Sequence, residues 1–185
     1  MNDLELFAKK IRGLKQVYLA GGIQNAAQPN SWRDILTRFF THNGIKVFNP
    51  VTDNAQIFNQ SVLGYKEDGS PVHLSELQDI DELKEAILYR QTELNDFDAI
   101  KKSDVVIFYL DSRIGHGTMK EFDFVYDTKK PMIIVRTIPR RELSHWTKWR
   151  RYFALVIDKT AIEFRSLTEL KHFFVKYLGF KDDEQ

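Results

Sequence analysis

The sequence SDVVIFYLDSRIGHGTMKEFDFVY, residues 103–126, contains the pattern that decides the fold class. Residues 105–110 are consecutive apolar types, rich in β-branched and aromatic side chains and too few for a helix, so they predict a buried parallel strand. The strand ends at Asp111. Gly115 and Gly117 follow, and they permit a tight turn and a close approach of the backbone to a ligand.

A helix is predicted to follow this turn directly. Thr118 is a favourable N-cap, and apolar residues then recur at helical spacing at Phe122, Val125 and Tyr126. Glu121 is thereby predicted in the first helical turn, at the carboxyl end of a central strand. Open α/β sheets bind their ligands at this position.

The first fifty residues predict a βαβ unit. Residues 16–20, QVYLA, have the pattern of a strand that Gly21 and Gly22 interrupt. Residues 31–40 carry an apolar stripe at helical spacing, and residues 45–48 form a second short apolar run. Strand, helix and strand at this spacing imply parallel pairing with a right-handed crossover.

The remaining patterns complete an α/β chain. We expect helices at 1–15, 83–100 and 166–178, strands at 131–138, 153–157 and 161–164, and a variable loop at 51–80 that covers or shapes the site. Residues 1–185 are interpreted as a single domain. Its predicted architecture is a doubly wound, mostly parallel sheet of about five strands, flavodoxin-like or Rossmann-like, flanked by helices.

Composition narrows the function classes. The 27 Lys and Arg residues nearly balance the 26 Asp and Glu residues, so the net charge gives no reason to expect nucleic-acid or membrane binding. No apolar run approaches the roughly 20 residues of a membrane span, and the first residues lack a signal-peptide core, so we expect a cytoplasmic protein. The chain has no cysteine. Chemistry is therefore expected from carboxylates, Tyr, His or the backbone, with no metal and no cofactor.

Polar residues from distant parts of the chain are predicted to meet at one crevice. The first and third strands are commonly neighbours at the switch point of such a sheet, which would bring Tyr18 close to Asp111 and Glu121. Asp96, near the end of the preceding helix, can reach the same crevice. A tyrosine with two carboxylates suits glycosidic-bond cleavage with retention, in which one carboxylate attacks the anomeric carbon and the other handles the proton of the leaving group.

Each of these residues also has a structural interpretation. Thr118 and Glu121 have the spacing of a capping box, and Tyr18 has the pattern of an ordinary core residue. His116 lacks a second histidine at ligand spacing, which argues against a metal. The basic segment 140–151, with its two tryptophans, is more typical of subunit or sheet-edge packing than of nucleic-acid binding.

Four short motifs resemble the nucleoside 2-deoxyribosyltransferase family, including the related deoxynucleotide N-hydrolases. They are VYLAGGI at 17–23, Trp32 with Arg33, Asn49 with Pro50, and GHGTMKEFDFVY at 115–126. The resemblance covers residues 17–138 and leaves residues 139–185 unmatched. Many relatives have an acidic residue or Ser shortly before the glutamate, where this chain has Gly115.

The resemblance implies a role for each matching residue. Glu121 matches the nucleophile that forms a covalent deoxyribosyl intermediate, Tyr18 the tyrosine that orients it, and Asp96 the aspartate that protonates the base. The positions expected to bind substrate are Gly21, Gly22, Ile23, Trp32, Arg33, Asn49, Pro50, Asp111, Gly115, His116, Gly117 and Met119.

Three functions remain open from the sequence. The first is deoxyribosyl transfer between bases, and the second is hydrolysis of a deoxynucleoside or its 5′-monophosphate, in which Arg33 or His116 would hold the phosphate. The third is a nucleotide-binding module without turnover. The expected partners are a nucleoside or nucleotide and a free base. Aromatic residues near Trp146 also predict a homo-oligomer.

Overall fold

The computed structural model describes residues 2–22, 31–54, 62–65, 70–73, 82–111 and 115–182. Its strands in chain order are β1 (Gln16–Gly21), β2 (Lys46–Phe48), β3 (Val62–Tyr65), β4 (Pro71–His73), β5 (Val105–Leu110), β6 (Met132–Arg136) and β7 (Ala161–Phe164). Five of them form a parallel sheet in the order β2-β1-β5-β6-β7, and β3 pairs with β4 in an antiparallel ribbon. The predicted doubly wound α/β fold is confirmed.

Helices cover both faces of the parallel sheet. They are α1 (Asp3–Lys10), α2 (Ser31–His42), α3 (50–54), α4 (Glu82–Lys102), α5 (His116–Asp127), α6 (His145–Tyr152) and α7 (Leu167–Leu178), with a 3-10 turn at Arg140–Glu142. Within the described ranges, none of these helices combines the length and the apolar character that crossing a bilayer requires.

Alternate residues of the strands build two separate cores. On one face of the sheet, Val17 and Leu19 pack with a phenylalanine-rich cluster from α2 and α7. On the other face, Tyr18 and Ala20 pack with Phe108 and with apolar residues of α4 and α5. The period-two alternation of a strand therefore directs Tyr18 towards the helices that carry Asp96 and Glu121.

The switch point of the sheet lies between β1 and β5. From β1 the chain first adds β2 on one side and later adds β5 on the other, and β1 pairs in parallel with both. The carboxyl ends of β1 and β5 thus lie side by side, at the edge where open α/β sheets bind their ligands. At their amino ends, the carboxylate of Asp104 accepts hydrogen bonds from the backbone N–H groups of Lys15 and Gln16, at 2.7 and 3.0 Å.

A partly buried ion-pair cluster links α6 to the sheet. Glu163 of β7 accepts a hydrogen bond from Arg136 of β6 at 3.1 Å and another from Arg151 of α6 at 2.5 Å. All three side chains are 12–14% exposed. The carboxylate of Glu163 therefore accepts hydrogen bonds from one arginine of β6 and from one arginine of α6.

Residues 153–157 do not form the predicted strand. Phe153–Ile157 is a π-helical segment that continues α6, with the N–H of Asp158 donating to the carbonyl of Phe153. Only three residues separate this segment from β7. A parallel strand beside β7 would need a much longer crossover, so the segment extends the helix instead.

The predicted loop 51–80 contains regular structure among its described residues. Residues 51–54 belong to α3, and β3 and β4 pair with each other rather than with the main sheet. The weak periodicity of this segment concealed the ribbon, because each of its strands has only three or four residues.

Candidate active site

Tyr18 and Glu121 are in direct contact. The hydroxyl of Tyr18 donates a hydrogen bond to Oε1 of Glu121 at 2.5 Å, and the two residues are 0% and 8% exposed. Phe48 stacks on the Tyr18 ring with 5.3 Å between centroids, because β2 places the two side chains side by side. Glu121 therefore fixes the hydroxyl of Tyr18, and Phe48 fixes its ring.

The start of α5 differs from the prediction. Gly115 is the N-cap, so Thr118 lies within the first turn and Glu121 within the second. Glycine is an acceptable N-cap residue, and His116 and Gly117 already have helical conformation. The predicted capping box of Thr118 and Glu121 is therefore wrong, and the buried face of α5 presents Glu121 to Tyr18 instead.

Asp96 completes the cluster from α4. Its carboxylate lies close enough to Tyr18 for each residue to act on the pKa of the other. Oδ1 of Asp96 accepts a hydrogen bond from the side-chain amide of Asn54 at 2.9 Å, and Oδ1 of Asn54 accepts one from the amide of Asn95 at 2.7 Å. The second carboxylate of the site thus has a fixed hydrogen-bond partner.

The Asn49–Pro50 pair explains how Asn54 reaches this position. Oδ1 of Asn49 accepts from the N–H of Val51 at 3.1 Å, and the N–H of Asn49 donates to the carboxylate of Asp53 at 2.7 Å. Asn49 is thus an N-cap and Pro50 occupies the first helical position, an arrangement that proline favours. Both residues are buried and start the short helix whose last described residue is Asn54.

Burial raises the pKa of all three groups at the centre of the site. The pKa of Asp96 rises from 3.8 to about 6, although hydrogen bonds from Asn54 and Tyr18 oppose the rise. The pKa of Glu121 rises from 4.5 to about 8 through burial and the nearby charge of Asp96, against the hydrogen bond from Tyr18 and the charge of Arg33. Burial and the two carboxylates also raise the pKa of Tyr18. The two acids therefore share a proton near neutral pH.

Arg33 and Trp32 lie beneath the crevice. The guanidinium of Arg33 donates to the carbonyl of Gly21 at 2.9 Å and sits 4.3 Å over the Trp32 ring, which stacks on Tyr109 at 4.7 Å. A Cβ on Gly21 would lie 2.9 Å from the Trp32 side chain, so glycine is needed for this packing. Arg33 is 0% exposed and Trp32 is 3% exposed. Both predicted substrate contacts are thus placed inside the protein.

The other predicted positions lie after β1 and β5 and at the start of α5. Gly22 and Asp111 follow β1 and β5, and Gly115, His116, Gly117 and Met119 form the start of α5. A Cβ added at Gly115 or Gly117 would meet no atom within 4 Å, so open space adjoins both glycines. Ile23 lies outside the described residues. Within the described part of the chain, no group of His, Asp and Glu side chains has an arrangement that could hold a metal ion.

Sequence reasoning missed Asn54. The succession of Asn49, Pro50 and Asp53 has the form of a capped helical turn and could have predicted α3. No local signal, however, connects Asn54 with Asp96, because 42 residues separate them and only the tertiary fold brings them together.

Comparison with solved structures finds the same fold in proteins of low identity. A 2-deoxyribosyltransferase from Bacillus psychrosaccharolyticus has a TM-score of 0.50 and 16% identity, over 84% of this chain and 90% of that one. A CMP N-glycosidase from Clostridium botulinum has a TM-score of 0.51 and 16% identity, over 89% of this chain and all of that one. A conserved protein from Enterococcus faecalis V583 has a TM-score of 0.50 and 15% identity, over 89% of this chain and 99% of that one.

Sequence comparison identifies the family. Comparison with curated protein sequences gives no significant match. The family model described as nucleoside 2-deoxyribosyltransferase matches residues 17–150, which include the first strand, the Asn49–Pro50 turn and the helix of Glu121. The match extends beyond residue 138 and includes most of α6. The chain therefore belongs to the nucleoside 2-deoxyribosyltransferase family.

Proposed function

We propose that the protein cleaves the N-glycosidic bond of a 2′-deoxynucleoside and transfers the deoxyribosyl group to a second base through a covalent intermediate on Glu121. The observation that carries this proposal is the 2.5 Å hydrogen bond between the buried side chains of Tyr18 and Glu121, with the partly buried Asp96 close to both. Membership in the nucleoside 2-deoxyribosyltransferase family supports the same class of reaction.

In the first displacement, Glu121 attacks C1′ as the bond from C1′ to the base nitrogen breaks. The electron pair of that bond leaves with the base, and Asp96 donates a proton to it. Tyr18 donates to Oε1 of Glu121. Oε2 is therefore the attacking oxygen, and the tyrosine fixes the rotamer that directs it.

The protonation states follow from the environment of the two acids. Productive chemistry needs the proton on Asp96 and the charge on Glu121. The hydrogen bond from Tyr18 and the charge of Arg33 both lower the pKa of Glu121 and so act towards this arrangement. Burial acts against it and leaves the pKa of Glu121 above that of Asp96, so the active form is the minor one of the two that carry a single proton. Arg33 acts here from inside the protein, without contact to the substrate.

In the second displacement, a nitrogen of another base attacks C1′ and releases Glu121. Asp96 takes up the proton that this nitrogen loses, which restores the starting state. Two displacements at C1′ retain the configuration of the sugar. We assign contacts with the sugar and its 5′ end to Asp111, Gly115, His116, Gly117 and Met119, which border the crevice.

The second candidate function is hydrolysis, with water in place of the second base. The structural likeness to a CMP N-glycosidase motivates this alternative, because the same fold carries that reaction in another protein. The first displacement and the roles of Tyr18, Asp96 and Glu121 are identical in both reactions.

One assay separates transfer, hydrolysis and binding without turnover. The protein is incubated with each deoxynucleoside, alone and with a second free base, and products are separated by chromatography. Base exchange supports transfer, base release alone supports hydrolysis, and tight binding with neither excludes both reactions. The assignment to Glu121 fails if Glu121→Ala retains exchange. Asp127→Asn, which alters an exposed carboxylate on the same helix, is the matched control.

We also propose that the protein self-associates through an apolar surface at the end of α6. Five side chains there are 39–58% exposed, namely Trp149, Tyr152, Phe153, Val156 and Ile157. Contiguous exposed apolar surface of this kind marks protein contacts. Trp146 instead packs against Phe122. Analytical ultracentrifugation should detect a dimer or larger assembly that Ile157→Asp weakens, and a monomer at all concentrations would contradict the proposal.

A further inference from the structure

We infer that Asn54 is a positioning residue for Asp96, and that its amide determines which carboxyl oxygen of Asp96 carries the proton for the departing base. The inference rests on the proposed function, because it assigns Asn54 through the acid role of Asp96. Asn54 itself is not assigned a contact with the substrate.

The orientation of the Asn54 amide is fixed from both sides. Its Oδ1 accepts from the amide of Asn95 at 2.7 Å, and its Nδ2 donates to Oδ1 of Asp96 at 2.9 Å. An ionised Asp96 carboxylate only accepts hydrogen bonds, so the amide nitrogen of Asn54 faces it and Oδ1 of Asn54 faces the amide of Asn95. The relay therefore has a single direction, from Asn95 through Asn54 to Asp96.

The backbone of Asn54 is held as firmly as its side chain. Asn54 is 5% exposed and belongs to the short helix whose start is bonded twice, by the Asn49 side chain and by the carboxylate of Asp53. A rigid support of this kind preserves the geometry of the group that it orients. The short helix that begins at the Asn49–Pro50 pair thus fixes the orientation of the Asp96 carboxyl group.

The position of the acid proton follows from this geometry. An N–H group that donates to Oδ1 of Asp96 repels a proton on that oxygen, so the proton resides on Oδ2. The titratable groups that act on Asp96 are Tyr18 from β1, Glu121 from α5 and Glu93 from its own helix. Glu93 is in turn paired with Lys120 and Arg90. Asn54, like the Tyr18 hydroxyl, is a neutral donor to Asp96, and both oppose the effect of burial on its pKa.

The test compares Asn54→Ala with Asn43→Ala. Asn43 also bonds through both ends of its amide, but its partners are backbone groups of Phe39 and Lys181, on the other face of the sheet. We expect Asn54→Ala to lower kcat/KM about 10- to 100-fold for deoxynucleosides whose base needs a proton to leave. An N7-methylated purine deoxynucleoside needs no such proton, and we expect a change of less than about 3-fold with it. Asn43→Ala should change neither value.

A second readout does not depend on turnover. In the Glu121→Gln background, the Asp96 carboxyl is titrated by infrared spectroscopy, and Asn54→Ala should move its midpoint to higher pH because a donor to the ionised form is lost. Asn95→Ala keeps the Asn54 amide but removes the neighbour that fixes its orientation. We expect this variant to raise the midpoint by a smaller amount. Unchanged midpoints in both variants overturn the inference, as does an equal rate loss with both kinds of substrate.

Failure of this inference is distinguishable from failure of the proposed function. If the wild-type protein cleaves deoxynucleosides and Asn54→Ala behaves like Asn43→Ala, only the role of Asn54 is overturned. If the wild-type protein cleaves none of them, the proposed function is overturned, and the role of Asn54 as a partner of an acid falls with it.

Discussion

Glu121 is a buried carboxylate and Glu163 is a partly buried one, and their surroundings are opposite. Glu163 lies between Arg136 and Arg151, and although burial opposes its charge, the hydrogen bonds from the two arginines lower its pKa. Glu121 has the phenol of Tyr18 as its hydrogen-bond donor and Asp96 as a nearby like charge, and burial raises its pKa to about 8.

Under the proposed function, this difference separates a structural carboxylate from a reactive one. The ion-pair cluster of Glu163 satisfies the charge and links α6 to the sheet. The surroundings of Glu121 leave its charge poorly compensated, which costs stability, and under the proposed function this keeps the carboxylate reactive towards a developing positive charge at C1′. Strongly perturbed carboxylates that share a pocket are typical of sites whose acid and base roles are set by environment.

The largest expected effect is an opposite response of stability to the same substitution at the two sites. At pH 9, Glu163→Gln should lower the free energy of unfolding by about 3 kcal/mol, because it leaves two largely desolvated arginines with a weakened partner. Glu121→Gln should raise it by about 1–3 kcal/mol, because it removes a buried carboxylate with little compensation. Urea unfolding at pH 5, 7 and 9 measures both.

The changes in the free energy of unfolding caused by Glu121→Gln and by Glu163→Gln should also vary with pH in opposite directions. Native Glu121 keeps a proton that the unfolded chain releases above its ordinary pKa of 4.5, so its cost grows as the pH rises towards about 8. The advantage of Glu121→Gln should therefore increase from pH 5 to pH 9. Native Glu163 has a lowered pKa, so its contribution is lost on acidification and the deficit of Glu163→Gln should shrink. Parallel curves for the two variants would contradict this interpretation.

The next effect concerns the donors to the two carboxylates. Tyr18→Phe removes the hydroxyl donor to Oε1 of Glu121 and should lower kcat about 10- to 100-fold with little loss of stability. Arg136→Met removes one of two donors to Glu163 and should lower stability while kcat stays within about 2-fold of wild type. Steady-state kinetics with thermal unfolding of each variant checks both. An equal rate loss in the two variants would show that the clusters do not differ in function.

The pH dependence of activity should also distinguish the Glu121 site from the Glu163 cluster. The form with one proton on the pair of Asp96 and Glu121 should be active, so kcat/KM should rise with pH near 6 and fall near 8. Activity should decrease about tenfold for each pH unit outside this range. Glu163→Gln should keep both limbs, and Asp96→Asn should lose the alkaline one. A flat profile between pH 5 and 9 would exclude the shared proton.

The smallest effect is expected at the surface link between α4 and α5. Lys120 pairs with Glu93 at 2.8 Å, and their side chains are 47% and 19% exposed. Lys120→Ala should change the free energy of unfolding by less than about 1 kcal/mol, because exposed ion pairs are screened by water. Its kcat should also match the wild type within about 2-fold, since the Tyr18 contact rather than this link sets the position of Glu121. A tenfold rate loss would instead assign the link a positioning role.

The sequence predicted the parallel sheet because its strands are short apolar runs bounded by glycine and polar residues. The alternation of side chains along a strand accounts for the position of Tyr18 and Ala20 on one face of the sheet. Sequence reasoning failed at Phe153–Ile157, where five apolar residues after a basic segment were interpreted as a strand. A short apolar run of this length is compatible with a strand and with a helix.

The site was less accessible to sequence reasoning than the fold. The approach of Tyr18 to Glu121 follows from the topology of β1, β5 and α5 and was anticipated on that ground. The hydrogen bond from Asn54 to Asp96 was not, because it depends on how a capped turn and the end of α4 meet in space. The burial of Arg33 under Gly21 also escaped prediction, since an arginine beside a tryptophan gives no sign of which way it packs.

The most direct test is mass spectrometry of the protein after rapid acid quench with a 2′-deoxynucleoside and no acceptor base. We expect a deoxyribosyl adduct on the peptide that contains Glu121, lost in Glu121→Gln and present in Glu163→Gln. Base release without any adduct, or an adduct on Asp96, would contradict the assignment of Glu121 as the nucleophile.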